Sequence, residues 1–384
     1  MTELLNRLLE MPVGPRQSHN IKAEATEQVV RRDGDSLEAE VAEESDLDQS
    51  LRDMNLNPAE WFVTGLKRSE WQTPSGETRN SLRYTLKRVS GGTEVPVDEL
   101  IRALDEHVPP RDAVKWGGDA AYVIGIGDMQ FGKIDGDGVA GALERCIDYM
   151  DSVAARIKWL QGHGVNIGHV HVAWLGDHIE GFNSQGGANA WRTQLPLTHQ
   201  IRLTRRVMAY AMQVLAPLVT RLTMAAVPGN HGETVRFAGK GVTTFDDSHD
   251  TESLICVMEA AEGRPEYEHV EFYVPDHDEL TVSIEAGGLH VLMAHGHQFA
   301  PNKHFDWWRG QAFHSDTAHA SGILLTGHLH HDHIERDGKH LWVGVGSLES
   351  ESTYYRHKTG SPGHPGMTGL LVRGGRVEFV DFIN

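Results

Sequence analysis

The chain has 384 residues, a formal net charge of -19 and 39% hydrophobic residues, which is the make-up of a globular protein with room for roughly two to three domains. An acidic balance of this size excludes binding of nucleic acid or anionic membranes by bulk charge, although bound cations or a small basic groove can still bring a polyanion to one site. No apolar run reaches the ~20 residues that span a bilayer, and residues 1–7 lack the basic-then-apolar pattern of a secretory leader, so a cytoplasmic location without a membrane partner is expected.

Cys146 and Cys256 lie far apart and make no CxxC or zinc-type spacing, so both are expected to be reduced and buried. Of the 24 histidines only His19 and His107 precede His163. That bias points to metal ligands in the later part of the chain, since imidazole is the commonest protein ligand for transition metals.

Residues 1–56 read as an arm and an acidic linker. Pro12, Gly14 and Pro15 break any early helix, and Asp33, Asp35, Glu38, Glu40, Glu43, Glu44, Asp46 and Asp48 dominate the tract that follows. Such a tract is expected to be a partly disordered or solvated helical linker. Residues 57–115 read as a small module. Trp61-Phe-Val and the alternation of Leu82, Tyr84 and Leu86 with Arg83, Thr85 and Lys87 flank the turn signal Thr73-Pro-Ser-Gly76, which predicts a hairpin. Its basic residues, Lys67, Arg68, Arg79, Arg83, Lys87 and Arg88, fit either a solvated strand face or a substrate-contacting surface. A helix is expected over 97–107, ended by Pro109-Pro110.

From residue 116 to 384 apolar strands alternate with helical stretches, the pattern of an α/β domain. A strand from Ala121 ends at Asp128, and a helix follows over 139–160. A second strand ends at Asp177, and a helix is expected over 197–218. A third strand, from Leu222, ends at Gly229-Asn230-His231. Short strands are expected over 270–294, the last one ending at His295, and a further strand over 322–326 ends at Gly327-His328-Leu-His330.

A lone aspartate after a strand means little, and Asp177 taken alone is as well read as a helix cap. Five strand ends in order, carrying Asp128, Asp177, Asn230, His295, and His328 with His330, mix carboxylate, amide and imidazole. That mixture suits two borderline-hard divalent cations, which at about 3.5–4 Å apart need a shared anionic ligand. Asp177 is the natural bridge.

These motifs, Asp128-Met-Gln130, Gly176-Asp-His-Ile-Glu180, Gly229-Asn-His-Gly-Glu233, Ala294-His-Gly-His297 and Gly327-His-Leu-His330, resemble the series of the calcineurin-like metallophosphoesterases. The resemblance spans about residues 121–348. It implies two mixed β-sheets sandwiched between helices, a four-layer αββα arrangement, here with a small N-terminal α+β appendage. It also implies that Asp128, residue 130, Asp177 and His330 hold one ion and that Asp177, Asn230, His295 and His328 hold the other. His231 then faces the leaving oxygen. Two positions depart from the series. Glu180 stands where an aspartate is usual, and Gln130 stands where a histidine is usual. Because an amide oxygen suits harder ions, manganese is favoured over magnesium, iron or zinc.

His328-Leu-His-His-Asp-His333 also fits the H-x-H-x-D-H pattern of the metallo-β-lactamases, but the short segment after it leaves no room for that family's later ligands. His331 and His333 are therefore expected at the pocket rim or surface, His169 and His171 as structural, and His297 as pocket lining. Phe131-Gly-Lys133 after the first motif resembles DNA repair nucleases of the SbcD type and related phage phosphoesterases. That likeness implies a DNA exo- or endonuclease with DNA as substrate and an ATPase partner of the SbcC kind. Trp307, Trp308, Arg236, Lys240 and Arg356 are the candidate nucleic-acid contacts. The alternatives are a phosphoesterase acting on small phosphoesters such as cyclic nucleotides, and a binding module on the same scaffold without activity. The sequence does not specify an oligomeric state.

Overall fold

The computed structural model describes residues 30–33, 36–42, 47–53, 56, 61–72, 78–88, 95–107, 115–182, 193–234, 236–237, 240–241, 243–350 and 365–384. Two compact units divide it, Met11–Thr93 and Glu94–Asn384.

In the smaller unit β1 (Val30–Asp33), β2 (Ser36–Ala42), β3 (Trp61–Gln72) and β4 (Thr78–Arg88) form an antiparallel sheet of order β1-β2-β4-β3. The expected hairpin is β3–β4, with its turn outside the described residues. Within the acidic tract, read as a partly disordered or helical linker, Ser36–Ala42 forms the strand β2. Leu37, Ala39 and Val41 recur at the strand period of two, opposite Leu86, Tyr84 and Leu82 of β4. Helix α1 (Leu47–Asp53) follows and contributes Leu51 to a small core with Trp61 and Leu86.

Helix α2 (Val97–Glu106), expected at the end of the small module, belongs to the larger unit instead. Its Val97, Leu100, Ile101 and Leu104 recur at helical spacing and enter the larger unit's main core. After it come β5 (Ala120–Ile126), α3 (Gly138–Gly162), β6 (Ile167–Trp174), α4 (Leu197–Leu215) and β7 (Arg221–Ala226). The α-helix expected to reach 218 ends at Leu215 and tightens into a 3₁₀ turn at Ala216–Leu218, where Pro217 has no N–H for an α-type bond.

Short β8 (Arg236–Phe237) and β9 (Lys240–Gly241) lead to α5 (His249–Ala261), a helix the sequence reading passed over. Ser248 caps it by accepting from the Asp250 amide. Then come β10 (Val270–Tyr273), β11 (Val282–Ala286), β12 (Leu289–Ala294), α6 (His304–Ala312), α7 (Asp316–Ala320), β13 (Ser321–Thr326), β14 (His333–Asp337), β15 (His340–Gly344), β16 (Met367–Arg373) and β17 (Arg376–Ile383).

The larger unit holds two mixed sheets, β10-β7-β6-β5-β16-β17 and β11-β12-β13-β15-β14, with β10, β7, β6 and β5 parallel in the first and β12, β13 and β15 parallel in the second. Alternate residues of each strand point to opposite faces, and both faces are buried, which explains the unbroken apolar runs in the sequence. Val123, Ala173, Leu175 and Ala225 of the first sheet meet Val291, Met293, Ile323 and Leu325 of the second in one core. The other face of the first sheet, with Tyr122, Ile124, Val172 and Met224, packs on α3, α4 and α5. The other face of the second, with Leu292, Leu324 and Trp342, packs on Trp308 of α6 and Ala318 of α7. The layers therefore run helix, sheet, sheet, helix. Among the described residues no helix is long and apolar enough to cross a membrane.

Candidate metal centre

The parallel strands β5, β6, β7, β12 and β13 each end in a loop carrying candidate ligands, the edge at which open α/β sheets place their sites. Of the seven non-glycine residues with positive φ among the described residues, five are Asp128, Gln130, Asp177, His328 and His330. A left-handed backbone costs an L-residue on the order of 1–3 kcal/mol and persists only where the surroundings impose it. Here the loops impose it on one another. Asp128 N donates to Gly176 O (3.1 Å), Gln130 N to Asp177 O (3.0 Å), and Leu348 N and Glu349 N to Asp128 O (3.2 and 3.1 Å). Gly229 packs so closely on the second loop that a Cβ there would lie 2.1 Å from Asp177 Oδ1.

Each aspartate uses one oxygen as a brace. His231 N donates to Asp177 Oδ1 (2.7 Å) and His328 N to Asp128 Oδ2 (2.8 Å). The other oxygens face imidazoles: Asp177 Oδ2 lies 3.1 Å from His295 Nε2, and Asp128 Oδ1 lies 3.0 Å from His330 Nε2. Both carboxylates are buried.

The histidines are oriented from behind. His295 Nδ1 meets Leu175 O (2.6 Å), His330 Nδ1 meets Glu349 Oε1 (2.7 Å), and His231 Nδ1 meets Glu180 O (2.9 Å). With Nδ1–H used as donor, Nε2 of each neutral ring is a lone pair turned into the site. His328 Nδ1 lies 3.1 Å from His295 Nε2, and ligand atoms of Asp177, His295 and His328 all lie within 4.8 Å of one another. Asn230 Oδ1 is buried without a hydrogen-bond partner, on the loop whose flanking amides are fixed to Asp250 and Asp177.

This convergence of a carboxylate and two imidazoles, with an unsatisfied amide oxygen on the adjoining loop, is the donor set of a borderline-hard divalent cation. The other expected set is looser. Gln130 Nε2, not its oxygen, faces His330 Nε2 (3.4 Å), and Gln130 Oε1 accepts from Lys133 Nζ (3.1 Å).

The charges tell the same story. Burial alone would lower His295 and His330, but the adjacent carboxylates outweigh it and raise them to about 9 and about 10. His231 rises to about 9 because Asp177 and Glu180 likewise outweigh its burial. Burial, helped by the charge of His295, pushes His328 down to about 4. Burial would raise the Asp177 carboxyl, yet His295 and His231 hold it well below the usual range. The field that demands protons on these rings is one that a divalent cation satisfies equally well.

Two residues at the centre escaped the sequence reading. Asp250, on α5, accepts from Asp177 N (3.1 Å) and Gly229 N (2.9 Å) through Oδ2 and from His178 N (3.0 Å) through Oδ1, tying the second and third loops together. Its only sequence signal is Ser248 followed by Asp250 and Glu252, the start of a capped helix. Glu349 holds His330 and also pairs with Lys133 Nζ (2.6 Å). It follows a buried apolar strand as the other site residues do, yet no expected motif includes it.

The remaining candidates are distributed as follows. His169 and His171 are buried and share Thr223 Oγ1 (2.8 and 2.7 Å), a structural pairing. His297 is half-buried with its ring 5.3 Å from that of His295. His331 and His333 are half-buried beside the site and contact each other, with His333 stacked on Trp342. Trp308 is core, donating to Ala318 O (3.1 Å), and Trp307 is half-buried against Phe299. Lys67 and Arg83 are exposed. The side chains of Arg236 and Lys240 and the whole of Arg356 lie outside the described residues. Cys146 and Cys256 are both free, but Cys256 is only half-buried, on the α5 face that carries Glu252.

No protein-family model matches the chain, and neither does any curated protein. Solved structures similar to it include a conserved protein of Streptococcus pneumoniae described as a predicted phosphoesterase, at 12% identity, covering 68% of this chain and 88% of that one, with a TM-score of 0.26. Vacuolar protein sorting 29 of Cryptosporidium parvum matches at 13% identity over 68% of this chain and 96% of that one, with a TM-score of 0.29. An archaeal phosphodiesterase matches at 11% identity over 68% and 99%, with a TM-score of 0.31.

Proposed function

We propose that the chain is a metal-dependent phosphodiesterase of the calcineurin-like kind, with DNA as its substrate. The observation that carries the reading is the coincidence of backbone and chemistry: five of the seven expected ligand residues, Asp128, Gln130, Asp177, His328 and His330, are held in left-handed geometry at adjoining strand ends, and Asp177 and His328 converge there with His295. Asp177, Asn230, His295 and His328 would hold one divalent cation, and Asp128, Gln130, Asp177 and His330 a second, with manganese favoured. When bound, such a pair supplies Lewis acidity toward a phosphoryl oxygen and a water acidified for attack at phosphorus.

The chain's own residues do the rest. Asp128 and Asp177 keep one oxygen each on a backbone amide, which fixes the direction of the other. His231, held by the Glu180 carbonyl through Nδ1, presents Nε2 beside Asp177 Oδ2 (3.9 Å) and can deliver a proton to the departing oxygen. On the DNA reading, an ATPase subunit of the SbcC kind is the expected partner.

One observation favours a second reading. Trp308 is core, which leaves half-buried Trp307 as the ring of the pair that a base could stack on, and exposed Lys303 and Arg309 pair with Asp306 (2.9 and 3.1 Å). A small phosphodiester such as a cyclic nucleotide needs no such pair of rings.

The test is turnover by the purified chain with manganese, magnesium or zinc on end-labelled single- and double-stranded DNA, a cyclic nucleotide, a chromogenic phosphodiester and a phosphomonoester. Cleavage of DNA supports the full reading, and cleavage of small diesters alone replaces DNA by the second. No metal-dependent turnover on any substrate leaves a binding module.

A further inference from the structure

Lys133 stands behind the looser half of the centre, and nothing in the proposed reaction uses it. Its side chain is 17% exposed, with the ammonium 2.6 Å from Glu349 Oε2 and 3.1 Å from Gln130 Oε1. Glu349 Oε1 in turn holds His330 Nδ1 (2.7 Å). The ladder Gln130–Lys133–Glu349–His330 therefore closes around Asp128. It presents the carboxamide nitrogen of Gln130, rather than its oxygen, to His330 Nε2 at 3.4 Å. An amide N–H donates and cannot ligate a cation. Bringing the oxygen round would put two donors, the NH₂ and the ammonium, face to face. On the other side, Asp177, His295 and His328 already converge and Asn230 Oδ1 is free of hydrogen bonds.

We infer that Lys133 sets the two metal positions apart: by engaging the Gln130 oxygen it makes the Asp128–Gln130–His330 position the weaker, exchangeable one, and the Asp177–Asn230–His295–His328 position the tight one. Lys133 is thus a positioning residue that acts on metal affinity through Gln130. The inference rests on the metal-centre reading given above.

Calorimetric titration of the metal-free full chain with Mn2+ reads both affinities without any turnover. Two unequal classes are expected. Lys133→Met, which keeps the apolar stem and removes the charge, is expected to tighten the weaker class by about tenfold or more, the range in which residues behind a ligand act. Lys133→Gln, which keeps a donor for Glu349, is the second variant should Lys133→Met lower the melting temperature. Gln130→His supplies a ligand nitrogen that Lys133 does not engage, so it should tighten the weaker class alone, and adding Lys133→Met to it should change nothing further. Equal classes in the unaltered chain overturn the inference. So does a weaker class that fails to tighten in both folded Lys133 variants, or a Lys133 effect that persists in full beside His at position 130. Absence of any Mn2+ binding removes the metal reading itself, a result distinct from these.

Discussion

The two halves of the centre are braced by different chemistry. Around Asp177 the supports run through the backbone: the amides of Asp177, His178 and Gly229 converge on one carboxylate, Asp250, and the carbonyls of Leu175 and Glu180 orient His295 and His231. Around Asp128 the supports are charged side chains, Lys133 and Glu349, acting on Gln130 and His330. Backbone braces belong to the fold and move only if it does, whereas a side-chain ladder can be altered one residue at a time. The Asp177 half should thus behave as part of the scaffold, and the Asp128 half as the adjustable part.

Changes that break this contrast are ordered by expected effect. On the Asp177 half, His231→Ala removes the proposed proton donor while leaving every expected ligand in place. It should lower kcat by about 10²–10⁴ with both Mn2+ affinities unchanged, as calorimetry beside steady-state kinetics will read. Asp250→Ala strips three buried N–H groups of their acceptor at about 1–3 kcal/mol each. It should cost several kcal/mol in urea unfolding and take activity down with stability. An Asp250→Ala protein that melts normally and turns over normally would remove the scaffold half of the contrast.

Glu349→Gln, which keeps the shape of the side chain, is expected to weaken only the looser metal class, by roughly 10–100-fold. Equal weakening of both classes would show the halves to be one unit. One further effect lies outside the centre. Burial pushes His169 down to about 4 and His171 down to about 3. Between about pH 6.5, where unfolded histidine titrates, and these values the unfolded chain binds protons the native one does not. Stability must therefore fall as pH falls through that window. His171→Leu should flatten the acid slope by up to about 1.4 kcal/mol per pH unit, measured as unfolding free energy against pH for the variant and the original chain.

The same contrast explains what the sequence disclosed. Asp128, Asp177, Asn230, His295, His328 and His330 were legible because each interrupts a run of buried apolar residues, and burial on both faces of a sheet leaves that run unbroken until the strand ends. Asp250 was not legible. It reaches the site from a helix 73 residues beyond Asp177, and contact at that separation leaves no local periodicity. Glu349 was missed for a related reason: its partner His330 is brought to it only when β13 and β15 pair side by side, and Lys133 only when the loop after β5 meets the segment after β15. In β2 the acidic composition hid a two-residue alternation of Leu37, Ala39 and Val41, which tertiary pairing with β4 turned into a strand. Cys256 was misplaced because α5 went unrecognised, and with it the half-exposed face on which the thiol lies.

The central claim is that this centre hydrolyses phosphodiesters through metal ions shared by Asp177, and one titration tests it most directly. Hydrolysis of a chromogenic phosphodiester by the full chain is followed as chelator is added and Mn2+ is returned, beside an Asp177→Ala chain shown to fold. Hydrolysis should vanish with chelator, return with Mn2+, and in the variant stay lower by about 10³-fold or more, several kcal/mol of lost Lewis-acid stabilisation. Hydrolysis that persists in chelator, or that the folded variant performs at the original rate, would contradict the claim.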